Sequence, residues 1–295
     1  MIAEPSPLPL PKLDAASELS RRHPVWLCDV WGVVHNGAAA ITEACDALIR
    51  HRRNGGVVVL LTNAPRRWPR VVALFDRFGV PPGIYDRVVS SGDVTRGLIE
   101  MRAGQSIFHL GPDRDHDLTV GLPVRFTGFA EAEAVLCTGL EDDHLESVAD
   151  YEPMLAEMLR RDMTMICANP DKVVHVGERL FPCAGLLAEH YAEIGGRVEM
   201  AGKPYPPIYR AALAHAREVL GRDFETAEVL AIGDSLSTDM AGAARNRVPA
   251  LFIRQGIHRE EIDGIGDESL ATLISDAAPG ITIVGYMDSL RWGRP

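Results

Sequence analysis

The chain has 295 residues, 46% apolar and 24% charged, enough apolar material for one large or two modest domains. A net charge of −11 excludes a non-specific binder of nucleic-acid polymers and a polybasic membrane anchor. There is no apolar run of about 18 residues and no CxxC pair among Cys28, Cys45, Cys137, Cys167 and Cys183, and Met1–Leu13 lacks a basic start followed by an apolar core, so the expectation is a reduced, cytoplasmic protein without a signal peptide.

Residues 1–13 carry Pro5, Pro7, Pro9 and Pro11 and read as a poorly structured arm. A short helix over Ala15–Arg22 precedes a strand over Val25–Cys28. Thr42–Arg53 has helical patterning, with Thr42 as N-cap and Gly55 as the stop. Val57–Leu61 is a continuous run of Val and Leu, the pattern of a strand buried on both faces. A helix over Trp68–Phe78, closed by Gly79, and a short strand at Val88–Val89 follow. The rhythm then restarts: helix Val94–Arg102, strands Ser106–Leu110 and Ala134–Cys137, helix Tyr151–Arg160, strand Met163–Ala168, helix Gly185–Glu193. From Val198 the chain returns to the first pattern, with helix Pro207–Leu220, strand Val229–Ile232, helix Met240–Asn246, strands Ala250–Ile253 and Ile281–Ile283, and a short terminal helix. Strands alternating with helices imply parallel sheets with right-handed crossovers, an α/β fold whose ligands sit at the carboxyl ends of strands.

Three such ends carry reactive side chains. Asp29 follows Val25-Trp26-Leu27-Cys28, Thr62 follows Val57 to Leu61, and Asp234 follows Val229 to Gly233, with Asp239 five residues on. Gly202-Lys203-Pro204 supplies an ammonium group. Phosphoryl transfer needs a nucleophile, neutralising charge and a proton source. Asp29 suits the first role. Asp29, Asp234, Asp239 and a main-chain carbonyl at Trp31 suit Mg²⁺, which takes oxygen ligands. Thr62, Asn63 and Lys203 suit the phosphoryl oxygens. Each segment alone has a plainer reading as a turn, an N-cap or a loop; the ordered set of four is what carries the argument.

Those four segments resemble the four motifs of the haloacid dehalogenase-like (HAD) hydrolase superfamily. Gly233-Asp234-Ser235-Leu236-Ser237-Thr238-Asp239 is the most specific match, and Thr62-Asn63-Ala64 with Gly202-Lys203-Pro204 fit the class IIA branch. The resemblance runs from about Val25 to Gly256. It implies a Rossmann-like parallel-sheet core over residues 14–90 and 198–295, and an inserted α/β cap domain over 91–197. It also implies Mg²⁺ as cofactor, a small phosphorylated metabolite as substrate and a homodimer through the cap. Ala168-Asn169-Pro170-Asp171 resembles the cap loop that meets substrate, which makes Asn169 and Asp171 candidate substrate ligands or a simple Asn-Pro turn.

One position departs from the family. Its pattern is Asp-x-Asp-Gly, with the second Asp as general acid and base, and here that residue is Trp31. An indole cannot donate a proton near neutral pH, and loss of a general acid costs about 10²–10⁴-fold. His35, in Val33-Val34-His35-Asn36-Gly37, is the nearest alternative acid, or else a loop residue. The sequence therefore points first to a Mg²⁺-dependent phosphomonoester hydrolase. Behind it stand a dehalogenase-type or other non-phosphate hydrolase using Asp29, and a weakly active phosphometabolite-binding protein.

Overall fold

This computed structural model describes residues 10–176, 179–256, 262 and 264–293. Residues 1–9 of the proline-rich arm lie outside them. Contacts divide the chain into two compact units, one of Met1–Leu61, Leu74–Val88 and Ala212–Pro295, the other of Thr62–Ala73 and Val89–Ala211.

The first unit is built on a six-stranded sheet. Its strands are β1 (Val25–Asp29), β2 (Val57–Thr62), β3 (Arg87–Ser90), β11 (Val229–Gly233), β12 (Ala250–Ile253) and β13 (Ile283–Met287). Their order is β13-β12-β11-β1-β2-β3. β1 runs parallel to β2 and to β11, which in turn runs parallel to β12. Every residue of β1, β2, β11 and β12 is buried, as expected for parallel strands covered on both faces. Helices α1 (Ser17–Arg22) and α2 (Thr42–Arg53) follow the predicted positions closely. Thr42 is the first helical residue of α2 and not its cap: Ile41 holds that place, fixed in an extended conformation by its N–H bond to the Val34 carbonyl at 2.8 Å.

The second unit has its own parallel sheet. Its strands are β4 (Ser106–Leu110), β5 (Arg125–Phe126), β6 (Ala134–Cys137), β7 (Thr164–Cys167) and β10 (Arg197–Met200), in the order β10-β7-β6-β4-β5. Side chains alternate between its two faces. Val135, Cys137, Met165 and Cys167 face Leu155 and Met158 of α5 (Glu152–Arg160) and Leu187 and Tyr191 of α6 (Ala184–Glu193). Ala134, Leu136 and Ile166 face Ile99 of α4 (Ser91–Glu100) and Leu118. A two-stranded antiparallel hairpin, β8 (Val173–Val176) with β9 (Arg179–Pro182), completes this unit.

Helices α3 (Trp68–Phe78) and α7 (Pro206–Leu220) occupy the predicted segments. In the first unit α8 (Ala241–Asn246) does the same, while α9 (Asp267–Ala277) was not anticipated. Other expectations differ from the structure. The 197/198 domain boundary falls inside β10, which pairs with β7 in the second sheet. The final strand is Ile283–Met287, displaced from Ile281–Ile283, and no helix follows it among the described residues. The end of the arm is ordered: Tyr286 N donates to Pro11 O at 3.0 Å and Leu13 N to Tyr286 O at 2.9 Å, so residues 11–13 extend the sheet beyond β13. No described helix is long and apolar enough to cross a membrane.

Candidate active site

In the first unit, chain order reverses around β1. The connection through α2 leads to β2 on one side, and the chain returns much later as β11 on the other. Such a switch point opens a crevice at the carboxyl ends of the strands. Asp29 is the last residue of β1, and Asp234 is the first residue after β11. Asp239 returns to the same place through a wide turn over Leu236–Met240, in which the Asp239 and Met240 amides both donate to the Ser235 carbonyl, at 3.1 and 3.0 Å. The Asp239 carboxylate accepts the Ser235 N–H at 3.1 Å.

The three carboxylates are buried, and one oxygen from each lies within 4.8 Å of the others. Like charges this close in a desolvated site favour a counter-charge or a proton. The walls are shaped for the carboxylates as well. A Cβ on Gly32 would stand 2.0 Å from Asp234 Oδ2, one on Gly256 1.9 Å from the same atom, and one on Gly233 2.1 Å from Asp239 Cγ. This donor set, oxygen ligands only, fits a hard dication such as Mg²⁺.

Trp31 is half-buried in the turn that follows β1. That turn is closed by the Gly32 N–H donating to the His35 carbonyl at 2.8 Å. His35 is buried, its ring 4.7 Å from the Phe78 ring and 6.3 Å from the Phe75 ring. Its Nδ1 accepts the Gly37 N–H at 3.1 Å. Burial lowers its pKa to about 4, so the ring is neutral at physiological pH.

The second unit holds the remaining predicted residues. Thr62 ends β2, directly after Leu61, the register partner of Asp29. The Thr62 hydroxyl oxygen accepts the Ala64 N–H at 3.2 Å, so its own hydrogen is available for donation. Lys203 is buried, and its peptide bond to Pro204 is cis. Asn63 was expected to bind phosphate, but its carboxamide is engaged elsewhere: Oδ1 accepts the Lys203 N–H at 2.7 Å, while Nδ2 donates to the Lys203 carbonyl at 3.0 Å and to Asp171 Oδ1 at 2.8 Å. Asn169 Oδ1 accepts the Asp171 N–H at 3.1 Å, the turn that its sequence suggested. Sequence reasoning missed Asp115, a buried carboxylate 3.8 Å from Arg66 Nε; it is one of three Asp in a charged run, Asp113 to Asp117, and nothing in the run singles it out as the buried one.

Residues 26–122 match a family described as haloacid dehalogenase-like hydrolase, and residues 200–275 match a family described as HAD-hydrolase-like. Among solved structures, a hydrolase of the haloacid dehalogenase-like family from Brucella suis 1330 is 40% identical, with a TM-score of 0.82; the match covers 95% of this chain and 100% of that one. Two curated relatives are more distant. The 5'-nucleotidase YutF of Bacillus subtilis is 23% identical over 80% of this chain and 89% of its own length. The ribonucleotide monophosphatase NagD of Escherichia coli is 24% identical over 81% of this chain and 91% of its own.

Proposed function

The chain belongs to the haloacid dehalogenase-like hydrolases, in their class IIA branch, and from that premise we propose that it is a Mg²⁺-dependent phosphatase of small phosphorylated metabolites. The observation that carries the reading is the buried triad Asp29, Asp234 and Asp239 at the switch point of the first sheet. Asp234, Asp239, one oxygen of Asp29 and the main-chain carbonyl of Trp31 are the groups assigned to hold the metal. When bound, Mg²⁺ supplies charge neutralisation for the phosphoryl oxygens. Thr62 and Lys203 are assigned to those oxygens by the family resemblance, which also assigns the inserted segment, here running from α4 through β10, to the cap.

Asp29 is assigned as nucleophile. Its carboxylate oxygen attacks phosphorus, the bond from phosphorus to the leaving oxygen breaks, and an aspartyl phosphate forms on Asp29, to be hydrolysed by water. Trp31 stands where the family places its acid and base, and an indole N–H serves neither step near neutral pH. His35 does not replace it: the ring is neutral, packed on Phe78 and bonded to the Gly37 amide. Without an acid, the leaving group must depart largely as its anion. Phosphate esters of acidic hydroxyls, and acyl phosphates, are therefore the favoured substrate class. Five free, buried cysteines suit a reduced, cytoplasmic setting. Pairing of two copies through the cap is carried by the resemblance alone, and light scattering would test it.

The test is phosphate release with Mg²⁺ across a panel of monoesters and acyl phosphates, nucleoside monophosphates included because two relatives are named for them. Turnover abolished by EDTA and by Asp234→Asn is the expected result. Halide release without Mg²⁺ would favour the dehalogenase reading, and ligand-induced stabilisation without turnover would favour a binding protein.

A further inference from the structure

Asn63 reaches two partners that are remote in sequence. Its carboxamide pairs with both the N–H and the carbonyl of Lys203, 140 residues away, and its second amide hydrogen meets the carboxylate of Asp171, 108 residues away. The fit leaves no slack. A Cβ on Gly202 would stand 2.4 Å from Asn63 Oδ1 and 2.8 Å from Pro170 Cδ. The Asp171 loop is also held from its far side. The Gly185 N–H, at the start of α6, donates to the Asp171 carbonyl at 3.1 Å, and a Cβ there would stand 2.5 Å from that oxygen. The Thr62 loop is clamped at its other end, where Asp93 Oδ2 accepts the Trp68 N–H at 2.8 Å and the Ala64 carbonyl accepts the Gly92 N–H at 3.2 Å.

We propose that Asn63 is a positioning residue that joins the Thr62 loop, the Lys203 turn and the Asn169–Asp171 loop into one hydrogen-bonded block, and so fixes the Lys203 turn and the Asp171 loop in a single geometry. The proposal rests on the reading of Lys203 as a phosphate-binding residue. A carboxamide is the side chain that meets the demand: it offers one acceptor to the Lys203 amide and two donors to the Lys203 and Asp171 oxygens. A carboxylate at this place would set two negative oxygens against Asp171 and the Lys203 carbonyl.

The experiment is a reciprocal swap. Asn63→Asp, Asp171→Asn and the double variant are assayed with p-nitrophenyl phosphate and Mg²⁺, and all three are unfolded in urea. Asn63→Asp is expected to lower kcat/KM by about thirtyfold, the scale of a broken buried hydrogen bond with a like-charge contact. In the double variant the new carboxamide at position 171 donates to the new carboxylate at position 63, and kcat/KM is expected to recover by about tenfold over Asn63→Asp. Losses that simply multiply in the double variant would overturn the proposal. If Asn63→Asp does not fold, the cycle of Asn63→Ala, Asp171→Ala and their double takes its place, and non-additive loss is again the expected result. If wild type has no turnover, the phosphatase reading fails, and the urea cycle decides alone: coupled stabilities would uphold the block, and additive ones would overturn it.

Discussion

Gly32 and Asp234 meet so closely that one carbon would separate them: a Cβ on Gly32 would lie 2.0 Å from Asp234 Oδ2. Gly32 also has φ +83°, a conformation that costs an L-residue about 1–2 kcal/mol. Gly32→Ala therefore strains the turn and pushes Asp234 out of the triad. The variant should fold with a loss of roughly 1–3 kcal/mol and lose Mg²⁺ affinity by at least about tenfold, on the scale of a disturbed ligand shell. Calorimetric titration of Mg²⁺ checks this; unchanged affinity would show that the carboxylates are not the metal site.

Restoring a carboxylic acid at position 31 should restore proton transfer. Trp31→Asp is expected to raise kcat on alkyl phosphates by about tenfold or more, within the usual range of general acid catalysis, while p-nitrophenyl phosphate responds less. The ratio of the two rates is the measurement. A fall on both substrates would mean that Trp31 positions a group the reaction needs.

His35→Ala should reduce turnover on alkyl phosphates and on p-nitrophenyl phosphate by the same factor, because the residue holds a loop and donates no proton. Removal of a buried ring packed on Phe78 should also cost roughly 2–4 kcal/mol of stability. A loss confined to alkyl phosphates would return His35 to the role of acid.

Asp115 makes the stability of the molecule depend on pH. It is buried, and its Oδ1 has no hydrogen-bond partner among the described residues. Burial pushes its pKa up to about 6, against the opposing pull of Arg66 and Arg114. A raised carboxyl pKa favours the neutral form in the folded state. Its stabilising contribution is thus complete below the unfolded value near 4 and is lost as pH rises through about 6. Relative to wild type, Asp115→Asn should gain roughly 2–3 kcal/mol between pH 4 and pH 7.5. Urea unfolding of both proteins across that range checks it; a difference independent of pH would contradict it.

The triad was legible in the sequence because each carboxylate is delivered by a local signal. Asp29 and Asp234 each follow a buried apolar run, and one short turn brings back Asp239. The helices and long strands were legible for the same reason, since burial of a face imposes its period on neighbouring residues. The contacts of the Asn63 carboxamide were not legible because its partners are 108 and 140 residues distant, and nothing local announces a side chain that bonds to remote backbone. β5 was missed because two residues, Arg125 and Phe126, carry no periodicity. The last strand was misplaced because Gly285 weakens its pattern; there φ is +150° and a Cβ would stand 2.7 Å from the Pro11 carbonyl. Helix α9 left a visible trace in Leu270, Ala271 and Ile274, the buried face of an amphipathic segment.

The central claim is that Asp29 carries the phosphoryl group. With Trp31 in place of the acid and base, water attack on the aspartyl phosphate lacks a protein base, so this intermediate should accumulate. Rapid mixing with p-nitrophenyl phosphate and Mg²⁺, followed by acid quench and peptide mapping, tests this directly. The account predicts a burst of nitrophenolate approaching one equivalent per active site, with phosphate recovered on the peptide that contains Asp29 and absent from Asp29→Asn. Steady turnover with no burst and no phosphate on that peptide, or a burst that survives in Asp29→Asn, would contradict it.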